Sequence, residues 1–158
     1  MYIEKYWENY IGGTDDSMTL LDYLADKHKE EISFSEIISD TGLDKLSSFQ
    51  KTEVPLSVLV DGMEAEIYYA IDLITDLAAL MLECKVNGSV NLCDLSEIYE
   101  ADCVVCITAT PREHAFMNKA LMDFVAAPLS YDLSEMVPEE DMLEMAGICE
   151  ELRKELYE

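Results

Sequence analysis

The run at residues 70–85, AIDLITDLAALMLECK, constrains what this chain can fold into more than any other stretch. Ile71, Leu73, Ile74, Leu77, Leu80, Met81 and Leu82 leave polar groups at only a few places, notably Asp72, Thr75, Asp76 and Glu83. At helical spacing Asp72, Asp76 and Glu83 fall close to one side, so the run reads as a helix with a narrow wet stripe. Spanning a bilayer takes about 20 predominantly apolar residues, and this run is too short and too charged at its ends. Full burial of a Leu or Ile contributes roughly 1.5–3 kcal/mol, so such a helix carries a large share of the folding free energy. The rest of the chain has to be built around it.

The flanking sequence supplies both helices and strands. Gly12-Gly13 break an aromatic-rich opening (Tyr2, Tyr6, Trp7, Tyr10), and Thr14, Asp15, Asp16 and Ser17 are candidate N-caps for a helix at about 17–29. Ser33 or Ser35 caps a short second helix that Gly42 stops, and 43–52 reads as loop. From 54 to 69 the period drops to two on either side of Asp61-Gly62, which is a hairpin signal. Asp61 and Glu64 are alternatively a capping box that extends the core helix backwards, and the hairpin is the preferred reading. Residues 89–95 read as a strand, and CVVCITA at 103–109 as a more buried one. Thr110-Pro111-Arg112-Glu113 then opens a helix at 111–125, with Thr110 as N-cap, Pro111 in the first position and Glu113 closing a capping box. Its inner face is Phe116, Met117, Ala120, Leu121 and Phe124; a last helix at 138–157 turns Met142, Met145, Ala146, Cys149 and Leu152 inward. The expected fold is α+β: a single domain over 1–158, with a β-sheet covered by the helices near 70–85 and 111–125.

Charge narrows the class of partner. The chain of 158 residues holds 34 acidic against 10 basic residues, a net charge of −24, yet half its residues are apolar. That is a globular protein whose field repels DNA, RNA and anionic membranes and attracts a cationic partner. The acids gather at the two ends: residues 1–31 hold eight against three lysines, and 138–158 hold eight against Arg153 and Lys154. Glu140, Glu144 and Glu151 can share one face of the last helix. Asp15, Asp16, Glu139, Glu140, Glu144 and Glu151 are accordingly the candidate partner-binding residues. An ordinary solvated face, with acids favoured near a helix N-terminus, accounts for the same residues.

No constellation for catalysis stands out. Cys103-x-x-Cys106 lacks the second ligand pair of a zinc site, and residues three apart on a strand point to opposite faces. The five cysteines, odd in number and mostly inside apolar runs, fit thiols in a reducing cytoplasm. His28 sits among charged residues and His114 beside Glu113, neither with a nucleophile motif near it in sequence. Asp15-Asp16 after a flexible Gly-Gly make a conceivable weak cation site, which helix capping explains more simply. No calcium loop, phosphate loop or H-E-x-x-H is present. No cofactor, metal or catalytic residue is expected, and no secretory signal is evident at the start.

The opening MYIEKYWENYIGGTDDSMTLLDYL, the central AIDLITDLAALMLECKVNGSVNL, then ITATPREHAFMNKAL and YDLSEMVPEE resemble the immunity proteins of bacterial polymorphic-toxin and contact-dependent growth inhibition systems. The likeness runs over most of the chain and carries no catalytic signature. It implies a small, non-enzymatic cytoplasmic protein that binds a cognate toxin domain and blocks it. An acidic inhibitor of a basic toxin domain would gain association rate by steering. Two alternatives differ in class: an acidic adaptor or regulatory module with a non-toxin partner, and a small carboxylate-based enzyme helped by His114. Convergent carboxylates with perturbed pKa values in one pocket would favour the enzyme.

Overall fold

The computed structural model describes residues 1–8, 10–96 and 101–158. Its centre is helix α3, Ala70–Asn87, in which every residue from Ala70 to Glu83 is buried. Tyr69 is its N-cap without a side-chain bond; instead Thr52 Oγ1 accepts from Ala70 N–H at 3.0 Å. Gly88 ends it at φ +84°, in the left-handed region that glycine enters without steric cost.

Four other helices surround it: α1 (Asp15–Asp26), α2 (Phe34–Thr41), α4 (Pro111–Ala126) and α5 (Glu139–Tyr157). Thr14 caps α1 by accepting from Ser17 N–H, and Ser33 caps α2 by accepting from Glu36 N–H. The first helix stops at Asp26, short of the expected Lys29, and His28 at φ +51° turns the chain into strand β1, Glu31–Ser33. The Thr110/Pro111/Glu113 start forms as read: Thr110 Oγ1 accepts from Glu113 N–H at 3.2 Å, and Glu113 Oε1 accepts from Thr110 N–H at 2.9 Å. Helices α4 and α5 pack on each other and on α3.

The strands make two small sheets. Strands β2 (Leu56–Val60) and β3 (Met63–Ile67) are the expected hairpin, with Asp61 at φ 52° and Gly62 at φ 76° forming its turn. Leu56 pairs with Ile67 and Val60 with Met63, so Leu56, Val58 and Ile67 face inward onto α1 and α2. The hairpin thus stands apart from the second sheet, of order β1-β5-β4, which lies on α3. In it β5 (Val104–Thr108) pairs in parallel with β1 and antiparallel with β4 (Val90–Asn91). The strand expected over 89–95 is therefore cut to two residues. Asn91 is the reason: its side chain accepts from Cys93 N–H and Cys103 N–H, which caps a 3-10 turn at Leu92–Asp94 and ends the ladder. Phe116 is also not inside: it is 44% exposed, its ring edge-on to Phe34 and Phe49 over a surface groove.

Candidate functional site

The narrow wet stripe expected along α3 is dry. Asp72, Asp76 and Glu83 are all at most 2% exposed. A helix that is apolar nearly all round has no solvent side, so its acids are buried with it and must find donors there. Glu83 and Asp76 find them in the first residues of the chain. Glu83 accepts from Ile3 N–H at 3.0 Å and from the Asn87 amide. Asp76 accepts from Gly12 N–H at 2.8 Å and from the Ser17 hydroxyl at 2.6 Å. The stripe is a rail that fastens the N-terminal segment and the start of α1 to the core helix.

At its N-terminal end the rail meets a second buried acid. Asp16 of α1, 2% exposed, accepts from Tyr68 N–H and Tyr69 N–H, each at 2.9 Å, one bond to each oxygen. Its neighbour Asp72 takes no backbone amide; its carboxyl pairs with that of Asp16, and Asp72 Oδ1 is buried without a hydrogen bond. Burial first, then the charges of Asp76 and Asp16, push Asp72 up to about 9, so its carboxyl is neutral near pH 7. Burial also raises Asp76, to about 7, against the bonds from Ser17 and Gly12 that favour its charged form. A cavity of about 400 Å³ opens over this pair. Asp16 and Asp72 are its buried members, exposed Asp15 lies at its edge, and Tyr68, Leu133, Met136 and Val137 give it apolar walls.

The exposed candidates form a different surface. Glu139, Glu140, Glu144 and Glu151 all point outward from α5. The N-terminal segment runs beside that helix. Tyr10 Oη reaches Asp141 Oδ1 at 3.0 Å and Glu144 Oε2 at 3.1 Å; Lys5 Nζ lies 3.1 Å from Glu155, which also accepts from the Tyr2 and Tyr6 hydroxyls. The two acid-rich ends of the chain are therefore brought together in space. Val137, two residues ahead of Glu139, shares the cavity with Asp15 and Asp16. Asp16 itself is not a surface residue, because its carboxylate is taken up by the Tyr68 and Tyr69 amides. Sequence reasoning missed Asp72 as part of the site. The signal available was its place on an all-round apolar helix, which leaves no wet face.

The histidines and cysteines lie elsewhere. His28 is exposed, and His114 Nδ1 stands 3.1 Å from the Tyr157 hydroxyl in a cavity shared with Cys84 and Cys106. All five cysteines are free thiols. Among the described residues, no group of three or more His, Cys, Asp or Glu side chains is set to hold a metal ion.

The model of one protein family, Immunity protein 68, matches residues 2–156. The chain belongs to the Immunity protein 68 family. That match covers the N-terminal segment, the α3 rail and α5 together. Comparisons with the curated proteins and with the solved structures give no match.

Proposed function

We propose that this member of the Immunity protein 68 family is a cytoplasmic antidote of a polymorphic-toxin or contact-dependent growth inhibition system. It binds a cognate toxin domain directly and blocks it without catalysis. The observation that carries the reading is the family match over residues 2–156 on a chain of net charge −24. The basic residues are largely engaged within the protein: Lys27 with Glu36 and Asp40, Lys29 with Glu36, Lys119 with Asp123, and Arg153 with Glu150 and Glu158. The surplus acids, among them Glu139, Glu140, Glu144 and Glu151, face solvent and would steer a basic toxin domain into contact.

The carboxylate-enzyme alternative has one observation in its favour, the Asp16–Asp72 pair in a cavity with Asp72 raised. Three features weigh against it. Both Asp16 oxygens are occupied by backbone amides, Asp72 is nearly inaccessible, and His114 lines a different cavity.

The test is co-expression with the toxin encoded beside the gene, followed by association kinetics on the purified pair. Rescue of growth is expected, with a 1:1 complex and unmodified toxin. The association rate should fall on the order of tenfold or more as added salt shortens the Debye length below about 8 Å. Growth arrest despite full expression would end the antidote reading; a salt-independent association rate would remove steering alone.

A further inference from the structure

The hairpin β2–β3 carries backbone groups that its own ladder does not use. Asp61 and Gly62, both at positive φ, make a two-residue turn of the type that bonds Met63 N–H to Val60 C=O. Bonded and non-bonded positions alternate in an antiparallel pair, so Val58–Ala65 and Leu56–Ile67 are bonded as well. The N–H and C=O of Ser57 and Leu59 on β2, and of Glu64 and Glu66 on β3, therefore point away from the ladder. Among the described residues no third strand joins this sheet to receive them. Helix α2 packs against β2, and Ser57 is half-buried, whereas Glu64 and Glu66 are both exposed. Tyr68, two residues on, has its N–H taken by Asp16. The open edge of β3 thus runs from that cap to the turn.

The side chains along this edge alternate in kind. Leu56, Val58 and Ile67 are buried, and the period of two puts Val60, Met63 and Ala65 on the same inner face. Met63 is nonetheless 75% exposed, so the inner face is left uncovered at the turn end. Glu64 and Glu66 stand on the outer face, where Ser57 Oγ donates to Glu64 Oε1 at 2.8 Å and Leu59 is 66% exposed.

We propose that the β3 edge is the docking strand for an extended segment of the toxin partner in which basic and apolar side chains alternate. The proposal rests on the toxin-binding reading above and names a contact within it. Such a segment adds a third strand. Its backbone bonds the N–H and C=O of Glu64 and Glu66, its basic side chains lie beside those carboxylates, and its apolar ones cover Met63. A bare edge is a hazard, because it pairs with any extended chain, copies of itself included. Here the two acids turn a second copy away, since a self-paired edge would set Glu64 and Glu66 against like charges on a chain of net charge −24. The same charge selects a basic strand.

Amide hydrogen exchange on the full chain, free and bound to the cognate toxin, tests the edge directly. Glu64 and Glu66 N–H should exchange freely in the protein alone and about tenfold or more slower in the complex, with Met63 and Ala65 protected in both. Exchange at Glu64 and Glu66 that the toxin leaves unchanged overturns the docked strand. Glu66→Pro removes one outward N–H and no bond of the ladder, so it should weaken toxin affinity about tenfold or more. Glu66→Gln keeps that N–H and should weaken it less; equal affinities of the two variants overturn backbone pairing. Where Glu66→Pro melts the hairpin, Glu64→Lys with Glu66→Lys keeps every backbone group and repels a basic strand, and binding within twofold of wild type overturns the charge match. A capped Lys-Val-Lys-Val-Lys peptide needs no toxin. It should give saturable NMR shifts at the Glu64 and Glu66 amides that its analogue with N-methylated lysine backbone does not; equal shifts from both overturn the edge. Failure of the wild-type protein to bind toxin at all defeats the toxin-binding reading instead, and the peptide pair still decides whether the edge takes a basic strand.

Discussion

Replacing Asp72 by asparagine should make the protein more stable at neutral pH, by an amount that grows with pH. The side chain is 2% exposed and its folded-state pKa is pushed from 3.8 up to about 9 by burial and by Asp76 and Asp16. A raised folded pKa means that the folded state keeps a proton which the unfolded chain has already lost. The stability tied to that proton is fully present below pH 3.8, falls as pH rises, and is gone above about 9. One proton of difference is worth about 1.4 kcal/mol per pH unit, which bounds the slope at which the wild type loses stability through this group as pH rises from about 5 to 8. Asparagine has nearly the shape of the protonated acid and no charge to acquire. The measurement is urea unfolding of both proteins at three pH values across that range, with stabilities from linear extrapolation. The difference between Asp72→Asn and wild type should widen steadily toward high pH. Two curves that run parallel would mean that Asp72 is charged in the folded protein, and the reasoning about its burial would fail.

Four further outcomes follow from particular contacts. Gly12 stands at φ +82° with its N–H on Asp76, and a Cβ there would meet the Trp7 ring at 2.2 Å; Gly12→Ala should cost about 2–4 kcal/mol in the same unfolding assay. Leu77 is fully buried on α3, so Leu77→Ala should cost roughly 2–5 kcal/mol, read as a lower urea midpoint at unchanged slope. Thr110→Ala removes the α4 cap and should cost about 1 kcal/mol by thermal or urea unfolding. Charge reversal at Glu140 and Glu144 together should slow association with the toxin several-fold while changing dissociation little, measured by surface-binding kinetics.

What the sequence revealed was local in origin. The Thr110/Pro111/Glu113 start and the Asp61-Gly62 turn are each decided by neighbours within four residues, and both form where the residues place them. The apolar run on α3 is legible because its all-round pattern admits one environment, the core. The rail was not legible, because its donors come from Ile3 and Gly12, more than sixty residues away. Spacing shows that Asp72, Asp76 and Glu83 share a side; it does not say whether water or backbone amides meet that side. Strand β1 escaped notice for a related reason. Three residues carry no period, and Glu31–Ser33 is a strand only because β5 lies beside it. The exposed acids of α5 were easier, since Glu139, Glu140, Glu144 and Glu151 all lie on the outer face of one amphipathic helix.

The acids of this chain divide by burial, and the division makes folding and binding separable by experiment. Exposed carboxylates on α5 sit in a field of like charge, so neutralising Glu140 relieves repulsion and leaves the core untouched. Asp76 and Glu83 hold the N-terminal segment by its backbone, and removing either leaves buried N–H groups without acceptors, a cost of about 1–3 kcal/mol for each. Asp72 belongs to neither group. It fastens no backbone segment, its Oδ1 has no partner, and its neutral isostere is expected to be the more stable residue near pH 7. Asp72→Asn is therefore the discriminating substitution for the fold: improved stability sets Asp72 apart from the rail, whereas a loss of stability would put it with Asp76 and Glu83.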